Sequence, residues 1–136
     1  MSTKQITQDL PHWKITSKEY IMGRDKDYFM QPQEEANMWK LLNALNRLRD
    51  AYGKAMIVTS GWRPGRYNQG YANKSAHLSC EACDFSDVSG ELAKWCLHYL
   101  PVLENCGLYM ESPESTRGWV HLQTRRPGSG NRVFKP

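Results

Sequence analysis

The sequence contains no long hydrophobic run. No segment approaches the roughly 20 consecutive apolar residues of a membrane-spanning helix, which argues against membrane insertion. The N-terminal residues 1–8 have no apolar core of the secretory type, so we expect synthesis in the cytoplasm without a signal peptide. Internal repeats and low-complexity stretches are also absent. These absences leave a globular protein as the class to consider.

A large excess of one charge is missing as well. Eighteen basic and 14 acidic side chains give a net charge of +4, without the concentrated basic patch of a nucleic-acid-binding protein. We therefore expect no nucleic-acid partner, although a mild positive charge suits an anionic polymer. What is present is 136 residues with 40% hydrophobic and 11% aromatic side chains, enough for one domain with its own core.

Cysteine is scarce, with four residues at positions 80, 83, 96 and 106. Thiols stay reduced in the cytosol, so a disulfide framework is not expected. Cys80 and Cys83 form a C-x-x-C motif, which could be a redox pair or half of a zinc site. Cys96 and Cys106 are ten residues apart and do not supply a second pair of that kind. We expect at least these two to be buried and chemically inert.

The clearest predicted element is a helix over residues 33–53, directly after Pro32. Its apolar residues recur at i, i+3/i+4 and i+7, and Gly53 can end it. Residues 1–31 show no sustained period, and we expect an N-terminal arm that packs on a domain formed by residues 32–136.

The remaining pattern predicts an α+β fold. We expect strands at 55–60, 82–86, 107–111 and 118–123, an edge strand at 132–134, and a long loop at 61–79. A second helix is expected over 91–100, with Ser89 as N-cap and Pro101 as a break or kink. This order favours one small domain with a mostly antiparallel sheet flanked by helices.

Three potential metal ligands lie near predicted strands. His77 ends the long loop, Asp84 lies on the next strand, and His121 lies mid-strand near the C-terminus. Two imidazoles and one carboxylate leave a fourth tetrahedral position open, as a hydrolytic zinc site requires. Taken alone, these residues are common, and a single strand histidine is more often an ordinary core residue.

Three longer motifs give the ligand set its context. Ser75–Asp84 resembles the signature S-x-H-x-x-G-x-A-x-D of zinc D-alanyl-D-alanine carboxypeptidases and L-alanyl-D-glutamate endopeptidases, including phage endolysins. Thr59–Pro64 followed by Asn68 is similar to the S-G-[YW]-R-[SP]…N segment of that family. Gly118–Leu122 resembles the W-V-H motif of one of its branches. The motifs occur in family order and span about half of the chain.

The resemblance implies a small peptidase fold of the D-Ala-D-Ala carboxypeptidase/Hedgehog type, with one zinc ion bound at the sheet. By it, His77, Asp84 and His121 are the zinc ligands. Arg63 faces the substrate, where it holds a carboxylate or stabilises an oxyanion. Ser75 orients the loop of His77 or bonds the substrate peptide.

Two positions depart from the family pattern. Many members carry an acid three residues before the last histidine, and Gly118 stands there. We expect Glu111 on the preceding strand to be the general base, with Glu114 as the alternative. Cys80 replaces a glycine, a residue favoured where φ is positive. The loop could shift to accommodate Cys80, or its thiolate could join the metal.

The resemblance implies a zinc peptidase that hydrolyses D-amino-acid-containing peptide bonds of the peptidoglycan stem peptide. Such an enzyme would be phage-encoded and would act at the bacterial cell wall after release, or in the virion beside other phage proteins. The alternative is a non-catalytic virion structural protein with a degenerate version of the fold. A third interpretation is a closed structural zinc site formed by His77, Cys80, Cys83 and Asp84.

Overall fold

A computed structural model describes residues 14–70 and 75–136, and it confirms the α+β class. The α-helices in these ranges are α1 Ser17–Ile21, α2 Pro32–Tyr52, α3 Glu91–His98 and α4 Leu100–Asn105. The strands are β1 Val58–Ser60, β2 Ala82–Ser86, β3 Tyr109–Glu111, β4 Trp119–Gln123 and β5 Val133–Phe134. Short 3₁₀ turns occur at Arg24–Lys26 and Gly65–Asn68.

The five strands form one sheet in the order β1-β2-β4-β3-β5. All neighbours are antiparallel except β3 and β5, which are parallel. The mostly antiparallel sheet is therefore as predicted. Within residues 14–70 and 75–136, no helix is long and apolar enough to cross a membrane.

Helix α2 supplies the largest apolar face of the core. Its N-terminus is capped by the Glu34 side chain, which accepts a hydrogen bond from the Gln31 backbone N–H at 2.8 Å. Gly53 ends it in the left-handed conformation at φ +79°, as glycine readily does. The buried residues form the predicted stripe: Met38, Leu41, Leu42, Ala44, Leu45 and Leu48.

The helical segment after β2 differs from its prediction in two ways. The chain forms two short helices with a break at Tyr99, and Pro101 lies in the first turn of α4, where its missing N–H costs nothing. Ser89 is not the N-cap of α3, because Gly90 occupies that position. The Asp87 carboxylate instead caps α3 by accepting the N–H groups of Leu92 and Ala93, each at 2.9 Å.

The starts of the strands other than β2 also lie later than predicted, most of all in β1. Strand β1 begins only at Val58, three residues later than predicted. The predicted loop 61–79 contains the 3₁₀ turn Gly65–Asn68, and its residues 71–74 lie outside the described ranges.

The described part of the N-terminal arm packs against the rest of the chain. Tyr20 is fully buried, and its hydroxyl donates a 2.8 Å hydrogen bond to the Ala82 carbonyl at the start of β2. A Cβ at Gly61 would lie 2.1 Å from the Tyr20 carbonyl oxygen, so this crossing requires glycine. Residues 1–13 lie outside the described ranges, and the boundary at residue 31 stays a prediction.

Candidate metal centre and active site

A row of paired residues crosses the sheet and forms the floor of the site. Ser60 on β1 pairs with Asp84 on β2, and Asp84 pairs with His121 on β4. On β3, Tyr109 pairs with Gln123 and Met110 pairs with Leu122. Continued by one residue, this register places Glu111 opposite His121. Since neighbours in such a row share one face of the sheet, these side chains project into one space.

That space is a cavity of about 850 Å³. Its lining includes Ser60, Asp84, Glu111 and His121 from the row, and Phe134 from β5, which pairs with Glu111. From outside the sheet, the loop after β1 contributes His77 and Arg63.

Asp84 lies at the centre of a three-residue cluster. Its Oδ1 atom lies 2.9 Å from Nδ1 of His121 and 3.2 Å from Nε2 of His77. One potential ligand atom from each residue lies within 4.8 Å of the other two, and all three residues are buried. Within the described ranges, this is the group of histidine, cysteine and acidic side chains whose spacing would hold a metal ion.

The hydrogen bonding of His77 fits a metal ligand. Its Nδ1 lies 2.8 Å from the Gly61 carbonyl oxygen, which can only accept, so Nδ1 carries the proton. Burial lowers the pKa of His77, which keeps the ring neutral and leaves Nε2 with a free lone pair. That lone pair faces a carboxylate oxygen of Asp84, and a cation between the two acceptors would satisfy both.

His121 is oriented in the same manner by Gln123. The Gln123 amide donates through Nε2 to the Arg125 carbonyl at 2.8 Å, so its Oε1 faces His121. This oxygen lies 2.6 Å from Nε2 of His121 and accepts a hydrogen bond from its N–H. The unprotonated Nδ1 of the ring therefore faces Asp84. An outer partner that fixes the ring in this way is typical of metal-ligating histidines.

The charges in the cluster are strongly coupled. Burial acts to raise the pKa of Asp84, but the adjacent rings of His121 and His77 outweigh it and lower the value to about 2. Burial acts to lower the pKa of His121, but the Asp84 carboxylate and the Gln123 oxygen raise it. Asp84 is therefore a permanent anion at neutral pH, as a ligand for a divalent cation must be.

Arg63 closes the cluster from the loop side. Its backbone N–H donates to the His77 carbonyl at 3.2 Å, and its Nη1 lies 3.8 Å from Oδ2 of Asp84. The guanidinium also donates to the hydroxyls of Ser60 and Ser75 at 3.2 and 3.4 Å. The Ser75 hydroxyl in addition accepts the His77 backbone N–H at 3.2 Å, so Ser75 ties the loop of His77 to Arg63.

The family model described as peptidase M15 matches residues 16–123. The chain belongs to the peptidase M15 family. No curated protein and no solved structure gives a significant match. Peptidases of this family are zinc-dependent, which identifies the chain as a metallopeptidase and agrees with the donor set of His77, Asp84 and His121.

Glu111, the expected general base, lines the same cavity as the three candidate metal ligands. It is half-buried in the cavity wall, and burial raises its pKa, while His121 acts to lower it and Asp84 to raise it further. A carboxylate with a raised pKa is suited to taking up a proton near neutral pH. The alternative base, Glu114, is exposed and does not line the cavity.

Cys80 lies in the left-handed region that favours glycine, with φ +64°. Its thiol is buried, and burial raises its pKa to about 12, so it stays protonated. Cys83 is buried in the hydrophobic core, on the opposite face of β2 from Asp84. Neither thiol belongs to the ligand cluster of the described residues, which disfavours the closed zinc site.

Sequence reasoning missed Gln123 and the carbonyl of Gly61 as partners of the two histidines. Gln123 was detectable in principle, since residues two apart on a strand share a face and His121 was already a candidate. The Gly61 carbonyl was not, because only the folded loop brings residue 61 to the ring of His77.

Proposed function

We propose that this M15 protein hydrolyses D-amino-acid-containing peptide bonds of bacterial peptidoglycan, with one zinc ion held by His77, Asp84 and His121. The observation that carries the proposal is the convergence of these three donors, within 4.8 Å, in a cavity that Glu111 also lines. When bound, zinc supplies Lewis acidity and lowers the pKa of water.

The remaining chemistry belongs to side chains of the protein. Glu111 takes the proton of the attacking water and passes it to the leaving amine, a role that its raised pKa supports. Arg63 stabilises negative charge on the carbonyl oxygen, since its buried guanidinium is held in place by Ser60 and Ser75. Ser75 positions Arg63 and the loop of His77, and it also lines the cavity where the substrate peptide would bind.

The cavity suits a short peptide, since about 850 Å³ is within the usual range for small-ligand sites. We further propose a phage-encoded enzyme that reaches the wall after release from the cell or on the virion. The net charge of +4 supports action on an anionic wall.

The experiment is hydrolysis of defined muropeptides by the zinc-loaded protein, followed by mass spectrometry of the products. Turnover should stop when a chelator removes the metal and return when zinc is restored. His121→Ala is the matched inactive control. A zinc-loaded wild type that cleaves no muropeptide and no intact sacculus would contradict the proposal and favour a non-catalytic virion protein.

A further inference from the structure

Glu81 joins the loop that carries His77 to the end of strand β4. Its backbone N–H donates to the carbonyl of Ala76, the neighbour of His77 in the chain, at 2.8 Å. Its backbone carbonyl accepts the N–H of Thr124, the residue directly after β4, at 2.9 Å. The main chain of Glu81 therefore connects the two segments that carry the histidines of the candidate metal centre.

The side chain of Glu81 holds Arg125 in an ion pair. Its Oε1 atom accepts Nε and Nη2 of Arg125 at 3.1 and 2.9 Å. The Ser79 hydroxyl joins both partners, since it donates to the same Oε1 at 2.5 Å and accepts Nη2 at 2.7 Å. The side chains of Arg125 and Glu81 are only 35% and 25% exposed, so water screens this pair less than an ion pair on the open surface. Arg125 is thus held in place by its side chain and through the backbone of its neighbour Thr124.

The backbone carbonyl of Arg125 determines which end of the Gln123 amide faces His121. A carbonyl oxygen can only accept, so the amide nitrogen of Gln123 faces it, at 2.8 Å. The amide oxygen then lies 2.6 Å from Nε2 of His121. A reversed amide would direct its N–H donors at Nε2 and would favour a proton on Nδ1, the nitrogen that faces Asp84. A protonated Nδ1 cannot bind a metal ion there.

We propose that the Glu81–Arg125 ion pair is a positioning pair for the metal centre, which acts through the Gln123 amide to keep Nδ1 of His121 free for the metal. The inference rests on the proposed function and deepens it, because it assigns the residues that prepare His121 as a ligand. Glu81 does not line the cavity, so its effect on the site passes through its neighbours and not through the substrate.

The test measures zinc affinity, by competition with a chelator, and the ring N–H of His121 in the zinc-loaded protein, by proton NMR. In the wild type, this N–H should exchange slowly with water, because Gln123 accepts its hydrogen bond. Glu81→Ala should accelerate the exchange and weaken zinc binding by about 10-fold, the lower end of the range for outer partners of a ligating histidine. Glu81→Gln keeps an accepting oxygen without the charge, so its effect should be smaller, and it serves if Glu81→Ala does not fold.

The variant Gln123→Glu shows whether the effect passes through the amide. A carboxylate presents an accepting oxygen to His121 whichever way it is turned, so it does not need the Arg125 carbonyl to select its orientation. In the Gln123→Glu background, Glu81→Ala should therefore cause no further loss of zinc affinity and no faster exchange of the ring N–H. A loss that is present with glutamine and absent with glutamate at position 123 is not expected from general destabilisation.

Asp87→Ala is the matched control for a loss of stability. Asp87 is a buried carboxylate that accepts two backbone N–H groups of α3 and does not line the cavity. Its removal should destabilise the protein but leave the zinc affinity and the exchange of the His121 ring N–H as in the wild type.

Three results would overturn the inference: wild-type zinc affinity in both Glu81 variants, a loss of the same size in the Gln123→Glu background, or an equal loss in Asp87→Ala. Hydrolysis of muropeptides separates this question from the proposed function. Turnover together with wild-type zinc affinity in both Glu81 variants rejects the role of Glu81 alone. The expected loss in Glu81→Ala without turnover by the wild type rejects the peptidase proposal and leaves the positioning role in place. A wild type that binds no zinc rejects both.

Discussion

Asp84 on β2 pairs with His121 on β4, and Oδ1 of Asp84 lies 2.9 Å from Nδ1 of His121. The same oxygen lies 3.2 Å from Nε2 of His77, which comes from the loop after β1. A single carboxylate oxygen thus joins two strands and a loop. A one-residue slip between β2 and β4 would turn Asp84 to the opposite face, so the register of this strand pair determines whether the cluster exists.

Replacing His121 by alanine should abolish tight zinc binding, because only His77 and Asp84 would remain as protein ligands. The measurement is zinc content after dialysis, by elemental analysis. His98→Ala provides the control, since His98 is exposed at the end of α3 and lies outside the cluster. Full zinc occupancy in His121→Ala would refute the ligand assignment.

Replacing Glu111 by glutamine should lower kcat on muropeptides by about 10²–10⁴-fold, the usual contribution of a positioned acid–base group. Zinc content should be unchanged, since Glu111 is outside the ligand cluster. The control is Glu114→Gln, which changes an exposed glutamate outside the cavity and should leave kcat close to wild type. A large loss of kcat in Glu114→Gln with none in Glu111→Gln would instead identify Glu114 as the base.

Replacing Gln123 by alanine should weaken zinc binding by about 10–100-fold, as loss of an outer hydrogen-bond partner of a ligating histidine typically does. The physical reason is the 2.6 Å contact through which Gln123 orients the His121 ring. Competition with a chelator measures the affinity. Gln123→Glu is the control, because it retains the accepting oxygen and should bind zinc more tightly than Gln123→Ala. Equal zinc affinities in wild type and Gln123→Ala would exclude a role of Gln123 in orienting His121.

Alanine at Cys80 or at Cys83 should leave zinc content unchanged. Both thiols are buried away from the ligand cluster, and burial raises the pKa of each. Each change should destabilise the fold by about 1–2 kcal/mol, the common range for small losses of buried volume. Elemental analysis and urea denaturation test the two statements, and loss of zinc from either variant would restore the closed-site interpretation.

Asp87→Ala should destabilise the protein by about 1–2 kcal/mol, because two N–H groups at the start of α3 lose their acceptor. Ser89→Ala is the comparison, and it should change stability by less than about 0.5 kcal/mol. The Ser89 hydroxyl is exposed and accepts only a 3.3 Å bond from the Glu91 N–H. Chemical denaturation of both variants decides which residue caps the helix, and equal losses would refute the assignment.

Helix α2 and the central strands were predictable because their signals are local. The apolar stripe from Met38 to Leu48 repeats with the helical period, and Gly53 ends the helix. The predicted strand 82–86 agrees with β2 residue for residue. Propensity and periodicity act over a few neighbouring residues, and a single sequence records them directly.

The cap of α3 and the break at Tyr99 were not predicted correctly for a different reason. Ser89, Asp87 and Gly90 are all reasonable cap residues, and the turn that follows β2 selects among them. Strand β1 likewise begins later than predicted, at Val58. The local sequence is compatible with several boundaries for a helix or strand, and tertiary contacts determine which one forms.

By itself, the sequence determined the class of the fold and the residue types of the site. The motifs that carry His77, Asp84 and His121 are written in the chain, as is the glycine-like position held by Cys80. Only the tertiary structure decided which partners surround them. The Gly61 carbonyl behind His77 and the Trp62 carbonyl that holds Arg24 on the cavity wall depend on loop packing. Such contacts join residues far apart in the chain, so no local pattern encodes them.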